Sequence, residues 1–407
     1  MAKSSADLGT GRSSLGRVLD FAWGAGVFTA TDAMAAAALT RSTTIDAIDT
    51  LVAARMLREL PNARAAGEYR AGRPARRFEL PADLGTVAGL DAGDAHLSLQ
   101  VADLAGETIL HSRIDLDPDH SIRERQDAVR RHVQATLAGG ARGPVLALCV
   151  GVAAPVDRDG HSPRHPDGFW ERTNAGLVDL LGGVADVVEV KNDAQLAATA
   201  EGAAGAAVDC RDYVALLAGE RLGAGVVIDG HLLHGMHGGV GEMFAFDYVR
   251  GVDSAFGLGP ILERRARALI AAGDAAPGGG LAGLDPREVD ARRVLALAAD
   301  GDADARQVVR TVGESLARIV GVLGSMYDPE RIIVCGGIAE RIDPVLDAAR
   351  ETLGPHLHLP APALVASRLG ADIVTQGAVL RALESARQLA LPKLAERRLR
   401  EAEDALR

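Results

Sequence analysis

Asn192 and Asp193 stand where an apolar run at 187–190 gives way to an alanine-rich stretch at 193–205. A strand that ends where a helix begins puts both side chains at the turn. Asp193 is then either a helix N-cap and nothing more, or a carboxylate poised to accept a hydroxyl proton. Gly238-Gly239-Val240-Gly241-Glu242 adds a second acid behind glycines. Two further segments, Leu90-Asp91-Ala92-Gly93-Asp94-Ala95-His96 and Ala218-Gly219-Glu220-Arg221-Leu222-Gly223, are glycine turns between strand-like runs. Paired turns of this kind can offer backbone N–H groups to phosphates. Singly, each is also what a hairpin needs.

A different chemistry sits near the start. Arg41, Ser42, Thr43 and Thr44 open a helical pattern at 41–54 that buries Ile45, Ile48, Leu51 and Val52. Guanidinium and hydroxyl groups at that helix start can meet phosphates or base edges. Asp46 and Asp49, further along, are expected to face away from a phosphate backbone or to accept from a cytosine amine. The segment Arg70-Ala71-Gly72-Arg73-Pro74-Ala75-Arg76-Arg77 carries four arginines. Arg73 and Arg76, in an extended stretch stiffened by Pro74, suit a narrow minor groove. A small helical protein-contact module with a solvated basic loop is the plainer alternative.

The elements that must position these groups follow from periodicity. A first helix begins near Leu15, and a second, at 30–37, has Thr29 as N-cap with Asp32 three residues on. Thr40 caps the third. Three helices with a tight junction before the third, then an arginine-rich extended segment, fit a helix-turn-helix with a wing. From Thr86 the pattern changes to strands at 87–90, 96–102 and 109–114, a helix at 119–138, and strands at 145–152 and 187–190. A second set starts at 214–218 and 225–228. It continues through a Gly/Pro/Ala-rich loop at 271–285, a helix at 303–327, a strand at 331–335 and a helix at 376–388. A charged helix closes the chain at 393–407. The order predicts a duplicated α/β unit with a cleft between its halves.

Composition sets the limits. The chain has 407 residues, 48% apolar, 24% charged and 3% aromatic, with a net charge of −11. Residues 1–80 hold eleven Lys/Arg against eight Asp/Glu, a net of +3, and the rest carries −14. That split points to a nucleic-acid module joined to something acidic. Cys149, Cys210 and Cys335 are far apart, so no disulfide framework or thiolate zinc site is expected. The sequence shows neither a signal core nor a membrane span, so a cytoplasmic protein with no membrane partner is expected.

These motifs, in this order, resemble the ROK family of repressors, open reading frames and sugar kinases. The matches are Gly151-Val152-Ala153-Ala154-Pro155-Val156, Asn192-Asp193 with Glu201 after it, 223–226, 238–242, and Asp328-Pro329 leading to 333–339. The N-terminal module with Gly72-Arg73-Pro74 resembles the winged helix-turn-helix of the family's regulators. The resemblance implies an actin-like, two-lobed α/β fold and a sugar or sugar derivative in the cleft, held by Asn192, Asp193 and Glu242. It implies domains at 1–82 and 83–390, the latter with lobes near 83–208 and 209–375, and a tail at 391–407.

The sequence also departs from the family's kinases. Their Asp-x-Gly-Gly-Thr reads Asp91-Ala92-Gly93-Asp94-Ala95, and their Gly-Thr-Gly reads Gly219-Glu220-Arg221. Each change puts a carboxylate where a triphosphate would sit. A like-charge contact at about 4 Å costs roughly 4 kcal/mol at an effective dielectric of 20. The family's zinc histidine is Ala245 here, and no cysteine lies between Cys210 and Cys335. His231, His234 and His237 are expected to be loop residues, with His234 or His237 free to bond a ligand. The expectation is a regulator, a repressor, that binds operator DNA as a homodimer or homotetramer. No enzymatic activity, catalytic residue, cofactor or metal is assigned. The alternative is a kinase that phosphorylates a hexose with ATP, with Asp193 as general base.

Overall fold

The computed structural model describes residues 13–61, 75–252, 254–353, 357 and 359–405. Arg73 lies outside them. The chain opens with α1 (Ser14–Ala25), β1 (Phe28–Thr29), α2 (Ala30–Ala37), α3 (Arg41–Ala53), β2 (Arg58–Leu60) and β3 (Arg77–Glu79). Thr29 and Asp32 form a reciprocal capping box at α2, and Thr40 caps α3, as their spacing predicts. The three short strands form an antiparallel sheet in the order β1-β3-β2. Val18, Leu19, Ile48, Leu51 and Phe78 fill the space between helices and sheet.

Two sheets of the same topology follow. The first holds β4 (Thr86–Ala92), β5 (His96–Ala102), β6 (Thr108–Asp115), β7 (Val145–Val152) and β8 (Val187–Asn192), in the order β6-β5-β4-β7-β8. The second holds β9 (Tyr213–Ala218), β10 (Leu222–Ile228), β11 (His231–Leu232), β12 (Arg331–Cys335) and β13 (Ala363–Ala366), in the order β11-β10-β9-β12-β13. In each, the first strand pairs antiparallel with the second and parallel with the fourth. The duplicated unit read from the sequence is therefore a pair of lobes with matching strand orders. Lobe 1 adds α4 (Ile122–Gly140), α5 (Phe169–Thr173) and α6 (Leu177–Leu180). Lobe 2 adds α8 (Leu258–Ala272), α9 (Ala291–Ala299), α10 (Ala303–Tyr327) and α11 (Asp343–Leu353).

Two helices join the lobes. α7 (Asp193–Ala204) leaves β8 and packs on β9 and β10, while α12 (Ile373–Ser385) returns from lobe 2 to pack on β4 and β7. α7 and α12 also pack on each other, with almost no side-chain bulk between them. A Cβ on Gly377 would fall 2.0 Å from the Leu196 carbonyl oxygen, so only glycine fits there.

The sequence predicts a helix at 376–388 and a charged helical tail at 391–407, and the structure joins the two. α12 runs through a π-helical turn, Ala386–Ala390, straight into α13 (Leu391–Ala405). Pro392 has no N–H to give, and the wider turn before it takes up the break without ending the helix. α13 is no free tail. Leu391, Leu394, Ala395 and Leu399 are buried in one apolar cluster with Val18, Leu19 and Leu51. Arg398 donates to the Arg55 carbonyl at 2.6 Å, and Arg387 pairs with Asp20 at 2.8 Å.

Among the described residues no helix is long and apolar enough to cross a membrane. Leu394→Ala, which empties a site 2% exposed, should lower unfolding free energy by about 2–4 kcal/mol in urea denaturation. Leu389→Ala, on the solvent side of the same helix at 47% exposure, should change it by less than about 0.5 kcal/mol.

Candidate functional site

The cleft between the lobes is a cavity of about 470 Å³. Its walls are the two glycine turns, the β8–α7 junction and the segment around Glu242. Asn192, not Asp193, is the N-cap of α7. Its Oδ1 accepts from the Gln195 N–H at 3.0 Å, and its Nδ2 donates to the Ala154 carbonyl at 3.1 Å and to Glu242 Oε1 at 3.4 Å. Asp193 is thereby released from capping. Its carboxylate accepts the N–H of Ala194, at 2.7 Å, and faces the cleft.

Glu242 is placed by backbone geometry. Gly241 has φ +91, and a Cβ there would lie 1.8 Å from the Ala224 carbonyl oxygen. Glycine lets this stretch lie flat along β10, with Glu242 bridged to Gly223 and its side chain turned to Asn192. The three ligand residues predicted from the sequence thus line one cavity. Their environment is dry and acidic. Burial, with the Asp91 and Glu242 carboxylates close by, pushes the Asp193 carboxyl well above the usual range. Burial raises Glu242 to about 7 against a weaker opposing pull from Arg221. Both shifts favour the neutral form, which donates a hydrogen bond as well as accepting one.

The first turn is held from behind by a residue the sequence does not flag. Arg125, on the first turn of α4, is 3% exposed. Its guanidinium donates to the carbonyls of Ala92 (2.8 Å), Gly93 (2.6 Å) and Asp94 (3.2 Å). In sequence it is one more arginine in an amphipathic pattern, and only the packing of α4 shows it pointing inward. His96 is a second such residue. It lies over Gly93 and meets Asp91 at 3.0 Å. Asp94 and Glu220 both line the cavity, one from each turn. Burial, then Asp94, raises the Glu220 carboxyl, so the two acids feel each other across the cleft. Arg221 opposes this only weakly, and its guanidinium is paired with Asp167 at 3.0 Å.

His234 bonds Gln195 at 3.0 Å, tying the loop after β11 to α7. Through Nδ1 it serves the joint between the lobes. Among the described residues, no three His, Cys, Asp or Glu side chains are grouped to hold a metal ion.

At the N-terminal body the predicted contacts divide. Arg41 and Ser42 are exposed at the start of α3, and Thr43 is half-buried with its hydroxyl 2.8 Å from that of Thr40. Thr44 is buried and donates to the Thr40 carbonyl at 2.9 Å, so it braces the helix and touches no partner. Arg76 is also committed inside the chain. It pairs with Asp49 and Glu59, each at 2.7 Å, and lies over the Phe78 ring. Asp49 therefore faces an arginine of its own chain, not a base.

The sequence profile of the ROK family matches residues 87–244 and 259–384, more than half of the chain. A bifunctional enzyme NanE/NanK from Brucella suis is 32% identical over 247 residues, which cover 58% of this chain and 43% of that protein. The chain thus spans less than half the length of this curated relative. A crystal structure of a ROK family transcriptional regulator, described as a homolog of the E. coli MLC protein, aligns over 95% of this chain and 98% of its own. Its TM-score is 0.69 at 20% identity. A ROK family glucokinase from Streptomyces griseus, solved with glucose and AMPPNP, aligns over 74% of this chain and 100% of its own. Its TM-score is 0.58 at 23% identity. These two likenesses are of fold, and they place the lobes in the actin-like sugar-kinase architecture.

The raised Glu242 carboxyl has a measurable consequence. A folded-state value of about 7 against an unfolded 4.5 means that the contribution of Glu242 to stability is fully present below pH 4.5 and is lost as pH rises through 7. Glu242→Gln removes that loss. In parallel denaturation at pH 5 and pH 8, the variant should gain on the wild type at the higher pH by up to about 3 kcal/mol. An identical difference at both values would show that Glu242 is not the titrating group.

Proposed function

The chain belongs to the ROK family, and we propose that it is a DNA-binding transcriptional regulator, a repressor. On this reading its two lobes form a degenerate sugar-kinase fold that senses a sugar or sugar derivative. The observation that carries it is the build of the N-terminal body. Three helices and a small sheet present the start of α3, with Arg41 and Ser42 exposed, while α13 packs on α3 and Arg398 holds the Arg55 carbonyl beyond its end. A winged helix-turn-helix enters the major groove with these residues of its third helix. The fold likeness to the regulator also extends over this part of the chain, whereas the glucokinase covers 74% of it.

The cleft supports the same reading. Asp94 and Glu220 stand in the two turns that would cradle phosphates, and the only basic group among the described residues lining the cleft beside His96, Arg221, is already paired. Asn192, Asp193 and Glu242 supply donors and acceptors for adjacent hydroxyl groups. A ligand there shifts the lobe equilibrium only by its differential affinity for the two arrangements. Operator half-sites call for a homodimer or homotetramer in the cytoplasm. The rival reading, an ATP-dependent hexose kinase with Asp193 as base, draws on the fold likeness to the Streptomyces griseus glucokinase.

Binding of the purified protein to DNA from its own upstream region, followed by fluorescence anisotropy, should fall steeply with salt. Arg41→Ala should weaken it roughly tenfold and reduce the salt slope by about one. A folded protein that binds no fragment of its own locus would overturn the regulator reading. In a coupled assay with hexoses and magnesium ATP, no turnover is expected. Sustained turnover that is lost in Asp193→Asn would establish the kinase.

A further inference from the structure

Aromatic residues are scarce in this chain, and their placement is uneven. Of seven Phe and two Trp, Phe21, Trp23, Phe28 and Phe78 belong to the N-terminal body. Four of the remaining five, Phe169, Trp170, Phe244 and Phe256, gather at one rim of the cleft. They come from both sides. Phe169 and Trp170 belong to α5 of lobe 1. Phe244 begins the 3-10 turn Phe244–Tyr248 of lobe 2, and Phe256 precedes α8.

Arg221 sits among them. It belongs to the β9–β10 turn of lobe 2 and is bridged through its backbone to Phe256. Its guanidinium lies 4.9 Å from the Phe169 ring centre, 5.7 Å from Phe244 and 5.6 Å from Phe256. It reaches across to Asp167 of lobe 1 at 3.0 Å. Asp167 is set to receive it, because its other carboxylate oxygen accepts the Phe169 N–H at 2.9 Å and bonds the His165 ring. His165 makes a second crossing, with its ring 4.6 Å from Trp170 and 5.1 Å from Phe244. A planar cation held between aromatic faces and a carboxylate is a strong pairing for its size. The joint on the other side of the cleft, Asn192 to Glu242, is a long 3.4 Å contact.

We propose that Arg221 is a clasp that closes the cleft from within the chain, with the Asp167 carboxylate and the Phe169 and Phe244 rings as its seat. The turn that in a kinase would face a phosphate donor instead holds lobe 1 directly. The closed arrangement therefore needs no nucleotide. A ligand enters only when Arg221 leaves its seat, and the residue acts as a gate on the cleft. The closure rests on the contacts alone. The gating of a sugar rests in addition on the sensing role proposed above.

The test is hydrogen exchange on the free, full-length protein. In Arg221→Ala, amides of 165–173 and 244–248 should exchange roughly tenfold faster than in the wild type. Strands at 86–92 and 213–218 should keep their protection and so report an intact fold. Arg221→Lys keeps the charge without the planar stacking and should fall between the two. Asp167→Asn should loosen the same two segments and no others. Unchanged exchange in both segments of a folded Arg221→Ala protein would overturn the clasp. For a hexose that raises the wild-type Tm, association measured by stopped flow should be faster in Arg221→Ala, and an unchanged rate would overturn the gate. If no sugar binds the wild type while the exchange result is as expected, the sensing role fails and the clasp stands.

Discussion

The ligand domain depends on the contact between α7 and α12. Each helix starts at the cleft, and each packs on strands of the lobe opposite to the one it leaves. They meet almost backbone to backbone, through Gly377 against Leu196. Interiors packed this tightly do not deform smoothly. The lobes can therefore turn about the joint but cannot slide through it. Asn192 caps α7 and Asp193 begins it, so these cleft side chains are fixed to the tightly packed joint. Ile373 and Val374, at the start of α12, line the same cavity.

Desolvation gives the cleft its chemical character. Asp91, Asp193 and Glu242 share a small space with little compensating positive charge, and burial raises the latter two. A carboxyl held near neutrality bonds a hydroxyl in either direction without the cost of an isolated buried charge. A phosphate chain would meet Asp94 and Glu220 instead. Arg125 steadies the first turn through its carbonyl groups, so its positive charge sits behind the turn and outside the cavity lining. On the proposed reading, the same fold keeps a site for polyols while its phosphate end turns acidic.

Much of this was legible in the residues. The apolar runs at 145–152 and 331–335 and the long period at 303–327 coincide with β7, β12 and α10. Asn192, Asp193 and Glu242 do meet, because a strand-to-helix junction and a glycine loop constrain where they go. The rest was hidden for definite reasons. Thr44 looks like its neighbours Ser42 and Thr43, and only the turn of the helix buries it. Arg76 belongs to a basic run that reads as solvent-facing, yet Asp49 and Glu59 come to it from elements 27 and 17 residues away. Arg221 stands next to Glu220 in sequence, yet its ion-pair partner lies 54 residues back in the other lobe. Such pairings are set by tertiary structure and leave no periodic trace.

The unbroken run from Ile373 to Ala405 has a mechanical meaning. Its first turn lines the cleft, and its last turns lie against α3 and the Arg55 carbonyl. At 1.5 Å per residue the run is roughly 50 Å long. A tilt of about 5° at the cleft end, small enough for side chains to absorb, carries the other end through roughly 4 Å. That is close to the spacing of one base-pair step. The π-helical turn at Ala386–Ala390 is where such a lever would be soft. Its stiffness there sets how much of a motion in the cleft reaches the helix that carries Arg41.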